Sequence, residues 1–200
     1  MRKIPSIFKR DFSNTERHAI NEITEGFEWF LRGEGVVTEK VDGAACAIIN
    51  GVFYRRYDVN VIKERRPPVA GFPCQPEPDP VTGHWPWWVP MIRGAASDKW
   101  YWKALKNTPW VGEDGTYEAV GPHFQRNPYG LDADFLEKHG RIKIHDFPRT
   151  FREIDAWLAQ HEVEGVVVWR NGEPVGKIKR KDFGYEWPIR SMEEINEKTY

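Results

Sequence analysis

The sequence predicts an α+β protein built mainly on antiparallel sheet, with few helices. Three observations carry that prediction. The apolar run Ala44–Ile49 meets Asn50-Gly51, a strong hairpin signal, and Val52–Tyr57 returns. A second apolar run, Gly165–Trp169, turns at Asn171-Gly172 into a strand from Val175. Helical signals are sparse. The clearest is Thr150-Phe151-Arg152-Glu153, a capping box, after which Phe151, Ile154 and Leu158 give one apolar face.

Two hundred residues allow one sizeable core. The reading is a single domain over 1–200, with a Pro/Trp-rich insertion at about 67–110. Charges nearly cancel, 29 basic against 30 acidic, so net charge neither favours nor excludes nucleic acid. Cys46 and Cys74 form no Cys-x-x-Cys pair and no disulfide framework, which points to a reducing compartment such as the cytoplasm. No segment is apolar enough to span a bilayer, and the basic N-terminus lacks a signal-peptide core. No membrane partner is expected, and composition says nothing about oligomeric state.

In chain order, Ser13-Asn14-Thr15-Glu16 reads as the start of a helix carrying Ile20, Ile23 and Phe27. Gly33-Glu34-Gly35 turns the chain into Val36-Val37. The first hairpin brings back Arg55 and Arg56, and only one of these can face a site because strand neighbours point oppositely. Lys63, Arg65 and Arg66 make a basic strip. A long proline-rich loop to Pro90 holds Trp85, Trp87 and Trp88, either as a stacking platform for unpaired bases or as a side core. A short helix is expected over 98–110. Tyr117-Glu118-Ala119-Val120-Gly121-Pro122 is a strand with a carboxylate inside it, which needs a reason. Ile142–Phe147 alternates as a strand.

The chemistry centres on Thr38-Glu39-Lys40-Val41-Asp42-Gly43, a lysine held at a strand end before a turn. Lys40 read alone is equally a strand-end lysine that snorkels to solvent. Downstream, Glu164 stands at the mouth of a valine strand, and Lys177 and Lys179 share one face of the next strand because side chains alternate with period two. A hard carboxylate suits a divalent cation, and paired lysines suit a phosphate.

Lys40-Val41-Asp42-Gly43, Tyr117–Pro122, Glu164–Val168 and Lys177-Ile178-Lys179, in that order, resemble the ATP-dependent ligase and mRNA-capping superfamily of covalent nucleotidyltransferases. The Tyr-Glu-x-Val-Gly-Pro form and the Asn127-Pro128-Tyr129-Gly130 turn resemble the RNA ligase branch, and Gly83-His84-Trp85-Pro86 and Pro148-Arg149-Thr150-Phe151 are similar to the small RNA ligase 1 family in particular. The resemblance runs from about Gly35 to Phe183.

The resemblance implies an antiparallel-sheet nucleotidyltransferase (adenylation) domain of the ATP-grasp-like ligase type, with the nucleotide in a cleft. It implies Lys40 as the nucleophile that takes AMP from ATP. Glu39 would help recognise adenine, and Asp42 would orient water or metal. Arg56 and Glu118 would hold the ribose, Glu164 the metal (Mg2+ or Mn2+), and Lys177 with Lys179 the α-phosphate. Ile144 and His145 are both candidates for stacking on adenine. The implied activity joins 5′-phosphate and 3′-hydroxyl RNA ends. The alternatives are a nucleotide-dependent RNA-binding protein without joining activity, and adenylyl transfer to DNA ends. The sequence departs from DNA ligases in carrying Ala45 where their Lys-x-Asp-Gly-x-Arg motif has arginine. Few residues follow Phe183, so no OB-fold domain is expected. The Pro67–Trp110 segment and the basic strip are then the candidates for gripping RNA.

Overall fold

The computed structural model describes residues 3–13, 15–67, 70–109 and 112–188. In chain order the elements are β1 (Phe8–Arg10), β2 (Ala19–Ile23), α1 (Glu28–Leu31), β3 (Val36–Glu39), β4 (Ala44–Ile49), β5 (Val52–Asn60) and β6 (Phe72–Pro73). They continue with β7 (His84–Pro90), α2 (Lys99–Asn107), β8 (Gly115–Val120), β9 (Phe135–Lys138), α3 (Phe151–Gln160), β10 (Gly165–Arg170) and β11 (Glu173–Lys179). All strand pairs are antiparallel, and the class is α+β. Among the described residues no helix is long and apolar enough to cross a membrane.

The chain divides into two compact units. One comprises Met1–Lys3 with Asp42–His139, and the other Ile4–Val41 with Gly140–Tyr200. The first holds a six-stranded sheet in the order β6-β7-β5-β4-β8-β9, with its own core around Cys46, Phe53, Tyr117, Leu136 and Phe124. The second holds the sheet β11-β10-β3 and the small pair β1-β2, around Ile7, Phe30, Val37, Ile154, Leu158, Val166 and Val168.

Both predicted hairpins form. Asn50-Gly51 and Asn171-Gly172 carry positive φ at both residues (50° and 72°; 53° and 79°), the backbone that a two-residue turn between right-twisted strands requires. The N-cap of α3 also forms. Thr150 Oγ1 accepts from the Glu153 N–H at 3.4 Å and donates to Glu153 Oε2 at 2.7 Å. Of the helix expected over 98–110, α2 forms Lys99–Asn107, and Trp110 lies outside the described residues.

Three expectations differ from the structure. No helix starts at Ser13. Asp11 Oδ1 accepts from the Ser13 N–H at 2.8 Å, a side-chain turn that competes with capping, and Ala19–Ile23 pairs with β1 instead. Asn14 of the predicted box lies outside the described residues. The last part of the loop to Pro90 is strand: β7 pairs with β5 along its whole length, His84 to Pro90. Prolines 86 and 90 are tolerated because β6 covers only Trp87 and Trp88 on the other side. Trp88 is buried, Trp85 and Trp87 are half-buried, and Trp85 Nε1 donates to the Gln75 carbonyl at 2.8 Å. That is the side-core reading of these rings. Ile142–Phe147 is not a full strand. It adds to the free edge of β3 through the Glu39 N–H to Ile142 O and the Ile144 N–H to Val37 O, both 2.9 Å.

Candidate functional site

In the β11-β10-β3 unit, register builds a lysine site. Ile178 turns into the core opposite Val166, so Lys177 and Lys179 lie on the other face of β11. Lys179 is registered against Gly165, and the Lys40 N–H donates to the Gly165 carbonyl at 2.9 Å. Lys40, Gly165 and Lys179 therefore form one row across three strands, about 10 Å wide at strand spacing. The middle member has no side chain. A Cβ on Gly165 would sit 2.1 Å from the Ile178 carbonyl oxygen, and its φ is +154°, so glycine is required there.

Glu164 enters this row from the loop before β10. Its carbonyl accepts from the Arg180 N–H at 2.8 Å, and its carboxylate Oε2 accepts from Lys40 Nζ. Both side chains are largely shielded, at 24% and 12% exposure for Lys40 and Glu164, which favours a held pair over a solvated one. The loop is itself nailed down by Arg180, a buried residue that sequence reasoning did not single out. Its guanidinium donates to the carbonyls of Leu158, His161 and Glu186, tying the end of α3 to the approach to Glu164. Lys177 is fixed at the backbone by Pro5 and Ile7, each through a 3.0 Å bond. Glu39 is half-buried at the end of β3.

Asp42, Arg56 and Glu118 belong to the six-stranded unit. The Asp42 N–H donates to the Tyr129 hydroxyl at 2.7 Å. The Asn127-Pro128-Tyr129-Gly130 turn delivers that hydroxyl, closed by two 2.9 Å bonds between the Asn127 amide and the Leu131 backbone. Gly43 must be glycine, since a Cβ would lie 2.5 Å from the Ala119 carbonyl. Arg55 is occupied: its Nε donates to the buried carboxylate of Asp98 at 3.0 Å. Arg56, the neighbour on the opposite face, is exposed.

Glu118 Oε1 lies 3.0 Å from His139 Nε2, and His139 Nδ1 lies 2.9 Å from Thr116 Oγ1. Glu118 Oε2 is buried without a partner among the described residues. An unsatisfied carboxylate oxygen is costly unless a ligand completes it. His139 was not read from the sequence, although its position after the β9 strand was the available signal.

Glu164 is a hard oxygen donor of the kind a divalent cation takes. No group of three or more His, Cys, Asp or Glu side chains is placed to hold a metal among the described residues. A lone carboxylate supplies only part of the oxygen shell that a divalent cation takes, and water or another molecule would have to complete it.

The second half of the chain, residues 105–199, matches the family model for RNA ligase 1. The mouse RNA ligase 1 is 27% identical over 149 residues, and the rat RNA ligase 1 is 26% identical over the same length. This chain is similar to RNA ligase 1. The match takes in 58% of this chain and 45% of the mouse protein, so it spans less than half the length of the curated relatives. The stretch matched by the RNA ligase 1 model includes Glu118, Glu164, Lys177 and Lys179, and leaves Lys40 and Arg56 outside.

The cavity of about 490 Å³ in the same unit as Lys40 lies at the other end of β3, lined by Gly35–Val37, Lys143–Phe147 and Arg149. Both adenine-stacking candidates line it. Ile144 packs partly on the core and His145 is exposed. The cavity does not include Lys40, and the ion pair, not the cavity, is the chemically distinctive feature.

Proposed function

We propose that this chain is an ATP-dependent RNA ligase that joins 5′-phosphate and 3′-hydroxyl ends through a lysine-linked AMP on Lys40, in an adenylation domain of the nucleotidyltransferase type. The observation that carries the reading is the row Lys40–Gly165–Lys179 with Glu164 against Lys40. Two lysines share one row of this sheet there, and a carboxylate is paired with one of them. The likeness to RNA ligase 1 supports the choice of RNA.

In this reading Lys40 gives up its bond to Glu164 and releases its ammonium proton to solvent, and the Nζ lone pair so freed attacks the α-phosphorus of ATP. A P–N bond forms, the bond to pyrophosphate breaks, and the nitrogen releases a second proton to solvent. Lys177 and Lys179 neutralise the charge that develops on the α-phosphate oxygens. Glu164 would hold the divalent cation, Mg2+ or Mn2+, which when bound supplies further neutralisation of the phosphates. Arg56 and Glu118 are the proposed ribose contacts, and the unpartnered Glu118 Oε2 is the acceptor that a ribose hydroxyl needs. Glu39 and Asp42 are proposed as the adenine contact and the water- or metal-orienting residue. The AMP then passes to an RNA 5′-phosphate, and a 3′-hydroxyl displaces it.

Intact mass after incubation with ATP and magnesium tests this, on wild type and Lys40→Ala. A gain of one AMP on wild type alone is expected, followed by joining of RNA ends. No adduct on either protein, after pyrophosphate treatment to strip any AMP already bound, refutes the mechanism and leaves an RNA-binding protein without joining activity.

A further inference from the structure

Helix α2 carries Lys99, Lys103 and Lys106 at i, i+4 and i+7, which is one helix face. All three are exposed, and none forms an ion pair among the described residues. Spacing alone makes this an ordinary solvated face. What lies beside it does not. Lys99 Nζ stands 4.4 Å from the centre of the Trp100 ring and Lys103 Nζ 5.3 Å, so the indole gathers two cations. The imidazole of His123 stacks on the same indole, with centroids 3.3 Å apart and planes 13° from parallel.

His123 is held rigidly. Its Nδ1 lies 2.8 Å from Asp134 Oδ2, and its backbone N–H donates to Asp134 Oδ1 at 3.2 Å. Asp134 is completely buried. Its own carbonyl accepts from Asn107 Nδ2 at 3.1 Å, which locks this segment to α2. The carboxylate can only accept, so Nδ1 carries a proton and Nε2 is left for another group. Gly121, at φ +126°, lets the loop approach closely, since a Cβ there would lie 2.5 Å from the Ala133 carbonyl.

We propose that Lys99, Lys103 and Lys106, with His123 at one end, form a binding strip for the phosphate backbone of single-stranded RNA. The lysines extend about 10 Å along the helix at 1.5 Å per residue, which suits a polyanion rather than one phosphate. The choice of RNA among polyanions rests on the proposed function. Lys99 and Lys103 lie outside residues 105–199, the stretch that the family model matches.

Fluorescence anisotropy of a labelled single-stranded RNA tests the strip, with the double variant Lys99→Gln, Lys103→Gln against wild type. Each phosphate contact on a single strand contributes about 0.7 to the slope of log affinity against log salt. Losing two makes the slope shallower by about 1.4, so the wild-type advantage shrinks about sevenfold between roughly 50 and 200 mM salt. Lys40 adenylylation and the urea midpoint should stay at wild-type values in this variant. Unchanged affinity and slope overturn the proposal. So does an equal loss in the control Lys9→Gln, Arg152→Gln, two exposed cations away from this helix, which would mean general charge and no particular strip. Displacement of the RNA by polyglutamate as readily as by unlabelled RNA would overturn it in favour of an acidic protein partner. Displacement by inorganic phosphate alone would reduce it to a single-anion site. Should wild type form no AMP adduct while RNA binding still depends on these lysines, the ligase reading falls and the strip stands.

Discussion

Replacing Gly165 by alanine should destabilise the β11-β10-β3 unit severely. The backbone at φ +154° is one that side chains rarely adopt, and holding it costs about 1–3 kcal/mol. The added Cβ would also stand 2.1 Å from the Ile178 carbonyl oxygen and 2.8 Å from Lys179 Cα. Both are backbone atoms, and they can retreat only if β11 parts from β10. Overpacking of this kind adds about 1–3 kcal/mol. The sum, about 2–6 kcal/mol, is a large share of a typical stability of about 5–15 kcal/mol. At about 2 kcal/mol per molar urea, the midpoint should fall by about 1–3 M. Gly172→Ala is the control. It also has positive φ, +79°, but nothing lies within 4 Å of its Cβ position, so it should cost about 1–2 kcal/mol. Urea unfolding of both variants checks this. A Gly165→Ala midpoint equal to that of Gly172→Ala would refute the close-approach argument.

Two further outcomes follow from buried groups. Asp98→Ala should cost about 3–5 kcal/mol in urea unfolding, because it strands Arg55, whose side chain is 16% exposed, and removes the acceptor of the Ile92 N–H. A loss below about 1 kcal/mol would mean the pair behaves as a surface pair. Burial pushes the hydroxyls of Tyr101 and Tyr117 above the usual tyrosine range. The folded chain therefore keeps protons that the unfolded chain releases above about pH 10, so stability is full below that pH and falls as pH rises further. Absorbance titration of tyrosine should show these two ionising after the exposed ones, and a single wave at the ordinary pH would contradict it.

The hairpins were legible because Asn-Gly answers a local demand for positive φ, which no distant contact alters. α3 was legible for the same reason: its cap lies within four residues. The Ser13 helix failed because Asp11 captured the Ser13 amide and β1 offered a pairing partner, both tertiary or near-local competitors that periodicity ignores. β7 was missed through the weight given to proline, although residues before proline favour extended backbone, and that signal stood at Trp85 and Val89. At the site, the order of Lys40, Glu164, Lys177 and Lys179 was readable. The bond between Lys40 and Glu164, 124 residues apart, was not. Strand alternation allowed only one of Arg55 and Arg56 to face a given side, but the buried Asp98 that occupies Arg55 came from another part of the chain. The lysine spacing on α2 was visible in the sequence. The His123 ring set against it depends on Asp134, and no local pattern links them.

The K-x-K pair on β11 also places a rule on how this gene can change length. A strand counts in twos, so one residue added or lost between the Asn171-Gly172 turn and Lys177 would turn both lysines into the core and bring Gly176 and Ile178 out. Two residues would restore the faces. Insertions and deletions in this hairpin should therefore survive in even numbers, or only where a new bulge absorbs the odd one. The irregularity already present between Val168 and Trp169 is a bulge of that kind.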